Sequence, residues 1–237
     1  MLQRMTVLIT LILFTLCLAS TGDAIAEEHE LRGYLMLGGA AIDIDGLNSK
    51  LDDKGYTEFS DDLFSIGGGV FHKVSPRILV GGEGHFLIGE QNSSDIGTKT
   101  YASSMLGGYG FMNMGYLAHE SDRLDVIPIL GMGFGGIGVK IGESSFDDIL
   151  DNPSRSASLY SMSFLLNLAL ETDCKVKILA ENGKDAFFCV GVRVGYVFSP
   201  FNSGWYTDEI SLTDDPDSGL SGPYIRLTIG GGGIIDK

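Results

Sequence analysis

The chain has 237 residues, with 16 Lys and Arg against 31 Asp and Glu, for a formal charge of −15. That balance excludes nucleic acid as a partner, because phosphates demand basic patches. Glycine accounts for 34 residues, about twice the usual ~7%, yet 44% of the chain is hydrophobic, so the glycines belong to ordered segments and not to a disordered tract.

At the start, Arg4 precedes an apolar stretch from Thr6 to Ala19, followed by the small-residue site Ala24, Ile25, Ala26. This pattern reads as an export signal cut after Ala26. The stretch is shorter than the roughly 20 residues a membrane-spanning helix needs. Cys17 lies inside it behind Leu16, which does not suit lipoprotein processing. Residues 1–26 are therefore expected to be a signal peptide. Residues 27–237 are expected to form one domain, since no Ser/Pro-rich linker divides them.

Eight strands are predicted, near residues 31–44, 63–73, 78–90, 99–117, 123–142, 158–173, 186–198 and 223–233. The alternation is clearest where Tyr160, Met162, Phe164, Leu166, Leu168 and Leu170 interleave with Ser161, Ser163, Leu165, Asn167 and Ala169. It recurs where Phe188, Val190, Val192, Val194, Tyr196 and Phe198 interleave with Cys189, Gly191, Arg193, Gly195 and Val197. A helix would scatter these apolar residues around its axis. Long connections at 45–62, 143–157 and 199–222 alternate with short ones near Ser75-Pro76 and Ser121-Asp122. Medium connections fall at 91–98 and 174–185.

Alternation alone does not say which face meets water. In a soluble barrel the second face would carry Lys, Glu and Thr. Here it carries Gly, Ser, Ala and Asn with occasional Arg or Glu, which suits a narrow lumen filled by side chains. The large apolar face then looks at lipid. Tyr160, Tyr196, Phe198, Phe201, Trp205 and Tyr206 fall near strand ends, where an aromatic girdle belongs. The fold class is all-β: an eight-stranded, antiparallel, up-and-down transmembrane β-barrel.

Through the export signal, the strand count, the loop asymmetry and stretches such as Phe188 to Phe198, the chain resembles small eight-stranded outer-membrane barrels of the OmpA-like and OmpX-like class. The resemblance implies that both termini face the periplasm and that 45–62, 143–157 and 199–222 lie outside the cell. It implies outer-membrane lipids, lipopolysaccharide and the outer-membrane assembly machinery as partners. It points to a non-enzymatic role in envelope integrity or surface contact. A narrow channel and a lipid A-modifying enzyme are the alternatives.

The candidate chemistry is sparse. Gly131, Gly133 and Gly136 spell GxGxxG, but Ile137 to Ile141 continues as strand where a nucleotide site needs a helix, so no cofactor is expected. Acidic pairs such as Asp52-Asp53, Asp61-Asp62 and Asp214-Asp215 fit no EF-hand spacing and read as a solvated acidic rim. No catalytic arrangement is read from His29, His72, His85 and His119. Cys174 and Cys189 flank a hairpin turn and are expected to form a disulfide in an oxidising envelope, with two free buried thiols as the alternative. Glu83, His85, Glu171, Arg193 and Arg226 share the inward phase. They form either an ion pathway or a mutually neutralising plug, and the width of an eight-stranded lumen favours the plug. Counting around the ring sets the third and seventh strands opposite each other, so Glu83 and Arg193 are expected to interact directly or through Arg226 or His85.

Overall fold

The computed structural model describes residues 29–144, 156–178, 186–207, 210–217 and 219–235. The export segment lies outside the described residues, as does most of the 143–157 connection. Eight long strands, β1 (His29–Ala41), β2 (Asp62–Ser75), β3 (Ile78–Ile96), β4 (Lys99–Tyr116), β6 (Leu124–Glu143), β7 (Ser156–Ile178), β8 (Ala186–Thr207) and β10 (Gly222–Ile235), are joined in antiparallel pairs. β1 pairs with both β2 and β10, and β10 pairs with β8, so the sheet closes into a ring. Two short strands, β5 (His119–Glu120) and β9 (Ile210–Ser211), extend the ends of β6 and β8.

Period-2 alternation decides what each strand presents. On β8, Phe188, Val190, Val192, Val194, Tyr196 and Phe198 are exposed, while Cys189, Gly191, Arg193 and Val197 are buried. Phe86, Met112 and Phe134 are about two-thirds exposed or more, at 68%, 73% and 67%. A band of such side chains around a closed sheet suits lipid contact and is incompatible with a soluble monomer surface. The protein is thus an eight-stranded transmembrane barrel.

The glycines of the GxGxxG string lie within β6. A Cβ on Gly131 would stand 1.9 Å from Asn113 Oδ1, and one on Gly133 would stand 1.8 Å from the Gly110 carbonyl oxygen. Close packing across the β4–β6 pair explains these two glycines without any nucleotide.

Several boundaries differ from the sequence-based expectation. β3 and β4 run beyond the apolar belt as a hairpin, with Ile96 paired to Lys99 and Gly97 making the turn at φ 67°. Polar residues from Gln91 to Asp95 find cross-strand partners there, so the expected loop at 91–98 is strand. β8 continues to Thr207 because Ser199-Pro200 falls where the β7–β8 register shifts, a place that tolerates proline. Within 45–62 the chain forms helix α1 (Asp45–Asp52). Its buried Leu47 and Leu51 lie one turn apart on one face. Asp45 in its first turn and Lys50 in its last complement the helix dipole. Asn48 holds α1 in place, donating to the Phe59 carbonyl oxygen and accepting from the Phe59 amide, both at 2.9 Å. The girdle also needs one correction. Tyr160, Tyr196, Phe198 and Phe201 face outward, but Trp205 is 3% exposed and points into the barrel end, because its strand carries the inward phase there.

Leu168 stands mid-strand on the outward face. Replacing Leu168 by Arg is expected to destabilise the barrel by about 2–4 kcal/mol in lipid, the cost of a charge near the bilayer midplane. Reversible urea unfolding in liposomes measures it. A loss near zero would mean that this face does not meet lipid.

Candidate functional site in the filled lumen

The same periodicity sets Glu83 and His85 on the inner face of β3, Glu171 on β7, Arg193 on β8 and Arg226 on β10, all buried. β8 and β10 are neighbours, and their register places Arg193 directly beside Arg226. Two guanidinium groups side by side in a narrow lumen require anions within reach. Glu171 is the cross-strand partner of Arg193 on the other side and accepts from its Nε at 2.7 Å and also from its Nη2. Glu83 reaches across the lumen and accepts from Arg193 Nη1. Its other oxygen stands 4.0 Å from Arg226 Nη1 and 3.6 Å from His85 Nε2, close enough for attraction but beyond hydrogen-bond length.

Arg226 is further held by Ser65, to which its Nε donates at 3.3 Å, and by the Tyr109 hydroxyl. Its guanidinium lies 3.8 Å from the centroid of the Tyr224 ring, a cation–π contact. The Tyr224 hydroxyl donates to Asn167 at 2.8 Å. With both glutamates ionised, the formal charges of the two arginines are cancelled. The structure thus brings together all five lumen residues singled out from the sequence.

A second polar cluster, missed by the sequence reading, fills the lumen nearer the short-turn end. Arg32 donates to Glu30 at 2.5 Å and to Asp125 at 2.9 Å. Lys175 pairs with Asp125 at 2.8 Å. The Tyr34 hydroxyl donates to Asp173 at 2.8 Å, and Thr228 donates to its other oxygen at 3.3 Å. The signal was present: Asp173 and Lys175 continue the inward phase of Glu171, and Glu30, Arg32 and Tyr34 alternate with Leu31, Gly33 and Leu35. At the rim of this end Lys177 donates to Asp122 at 2.8 Å, and the ammonium holds that carboxyl below its ordinary range.

The expected disulfide does not form. Cys174 is exposed and Cys189 is buried, and both thiols are free. The register pairs Cys174 with Val190 and Cys189 with Lys175, so the two cysteines are one residue out of phase and point to opposite faces of the sheet.

Toward the long-loop end the lumen turns apolar. Leu63, Leu87, Met105, Ile137 and Val139 form a layer beneath Leu47 and Leu51 of α1, with Trp205 and Leu220 beside them. Two ionic clusters and an apolar cap therefore occupy the interior.

The fold and the lipid-facing belt define a class, the small eight-stranded transmembrane β-barrel. Among solved structures, the chain is similar to Ail, the attachment invasion locus protein of Yersinia pestis, at 11% identity, with 88% of this chain and 99% of that one covered and a TM-score of 0.44. It is similar to a major outer membrane protein of Thermus thermophilus at 12% identity, covering 87% and 99%, with a TM-score of 0.44. The outer membrane protease OmpT of Escherichia coli aligns at 10% identity, covering 91% and 99%, with a TM-score of 0.38. No protein-family model matches the chain, and no curated protein matches its sequence.

Changing Arg193 to Met strands both Glu83 and Glu171, and is expected to cost about 3–5 kcal/mol. Adding Glu83→Gln should recover part of that loss, and adding Glu171→Gln as well should recover most of it, as measured by urea unfolding of each variant. Strict additivity would mean that the three side chains do not share a network. Thiol titration offers a separate check: Cys174 should react in the folded, detergent-solubilised protein and Cys189 only after unfolding, giving two thiols without reductant.

Proposed function

We propose that the protein is a closed, non-enzymatic outer-membrane barrel, exported and freed of residues 1–26, whose long-loop end lies outside the cell and serves envelope integrity or surface contact. The observation that carries this reading is the filled lumen: among the described residues, two ionic clusters and an apolar cap occupy it, which disfavours the channel alternative. A surface role is supported by the described residues of the long-loop end, where the 45–62 segment packs on the β3–β4 hairpin. The β3–β4 hairpin rises past the belt. Tyr56 packs edge-on against Tyr101 at 5.7 Å, Asn92 donates to the Glu58 carbonyl oxygen at 2.7 Å, and the Thr57 amide donates to Ser94 at 2.7 Å. Around this platform stand Asp52, Asp53, Asp61, Asp62 and Asp95, all exposed, so its contacts favour cationic partners or surfaces bridged by divalent ions.

Two measurements test the reading. In planar bilayers the protein is expected to show no porin-like unit conductance; stable openings would favour the channel. For orientation, Asp95→Cys should be labelled by a membrane-impermeant maleimide on intact cells, while the native Cys174 at the opposite end should be labelled only after detergent. The reverse pattern would invert the barrel.

A further inference from the structure

The outward face of the barrel is not uniform. Across β4, β6 and β7 it sinks into a groove of about 510 Å³, within the roughly 300–1,000 Å³ typical of ligand clefts. Gly108, Gly136 and Gly138 form the floor. Phe86 and Leu106 wall one side, and Met162, Tyr160 and Tyr206 the other, the two tyrosine rings lying 6.0 Å apart. The floor is low because it lacks side chains: a Cβ on Gly138 would stand 3.3 Å from the Tyr160 ring.

The groove is apolar along its length and polar at one end only. Toward the long loops it meets Lys140, which the register pairs with Ser104 on β4 and Ser158 on β7. Strands lie roughly 4.8 Å apart, so a hydroxyl, an ammonium and a second hydroxyl stand in one row. Lys140 is exposed and forms no ion pair with any described residue. Among the described residues, every other Lys or Arg of the eight strands carries the inward phase or sits in the lumen, so Lys140 is the one basic strand residue on the lipid-facing surface; Arg77, in the turn at the opposite end, donates to the outward-facing Tyr116. In a chain of charge −15, such a cation at the upper edge of the belt sits where the phosphate of a lipid standing in that leaflet would lie.

We infer that this groove is a lipid site: it holds one acyl chain of a phosphorylated outer-leaflet glycolipid of the lipid A type, whose phosphate rests on Lys140, Ser104 and Ser158. The assignment to the outer leaflet rests on the orientation proposed above, which the Asp95→Cys labelling tests on its own. The glycine floor admits a chain that a flat belt would only brush, and the polar row selects for a phosphate head group. Chain and head group are read by separate parts of the site.

Native mass spectrometry of the protein released from detergent, titrated with bisphosphorylated lipid A, phosphatidylglycerol or an uncharged diacylglycerol, tests the inference. One lipid A per barrel should survive release, with the diacylglycerol lost and phosphatidylglycerol held more weakly. Lys140→Gln should weaken lipid A about tenfold, the loss of one charge-assisted contact. Gly138→Leu should abolish retention by filling the groove. Heat-modifiable migration confirms that each variant folds, and Ser104→Ala with Ser158→Ala, which removes only two hydroxyls, serves if Gly138→Leu does not. Undiminished retention by the Lys140 variant, or diacylglycerol held as well as lipid A, would overturn the phosphate site. Phosphatidylglycerol held as tightly as lipid A would overturn the assignment to the outer-leaflet lipid.

Discussion

The contact between Arg193 and Glu83 is the constraint around which the rest of the barrel is arranged. β3 and β8 are not neighbours in the sheet, and the two residues are 110 positions apart in the chain. Their side chains meet only once the ring has closed. An open sheet would leave Arg193 and Arg226 side by side, with Glu171 as the carboxylate directly across from Arg193. Closure supplies Glu83 as the second anion. The polar cluster therefore rewards the closed state specifically, while the lipid-facing belt gains as much from an open sheet as from a shut one.

The same charges fix register. A slip by one residue would turn Arg193 and Arg226 toward lipid, at a cost of about 2–4 kcal/mol each near the midplane, and would leave Glu83 and Glu171 without counter-charges. Apolar residues alone discriminate less sharply here, because the lumen also contains Met36, Phe71 and Phe111, which would tolerate lipid well. In this barrel the buried ions carry the register information that the hydrophobic pattern of a soluble sheet would supply.

What the sequence made legible follows from that division. The lipid-facing residues of β7 and β8 alternate so strictly that strand, phase and membrane contact are all readable from Tyr160 to Leu170 and from Phe188 to Phe198. The inward phase of Glu83, His85, Glu171, Arg193 and Arg226 is readable by the same count. Two kinds of feature were not. Beyond the belt, hydrophobic alternation stops carrying information, so the polar β3–β4 hairpin reads as a loop, and α1 is hidden because only Leu47 and Leu51 of its residues are buried. Pairwise contacts also depend on register, which the chain does not display: Cys174 and Cys189 bracket one turn, yet a single residue of phase places their thiols on opposite sides of the sheet. The second ionic cluster needed only the phase of Glu171 extended to Asp173 and Lys175, and the phase of β1 taken as seriously as that of β8.

The two ends of the barrel are closed by different physics. At the short-turn end the lumen holds Glu30, Arg32, Asp125 and Lys175, charged groups that remain favourable when water enters from the adjoining space. At the long-loop end α1 and Leu220 seal it with apolar packing, and the hydrogen bonds that hold the seal, from Asn48 to Phe59, lie within the loops themselves. An apolar seal excludes water and orders what packs on it, so α1 and the segment that carries Phe59 are braced by the barrel's own core. Among the described residues, the packed 45–62 segment and β3–β4 hairpin with their exposed aspartates set this end apart from the short-turn end, and the ionic clusters give the lumen a structural task.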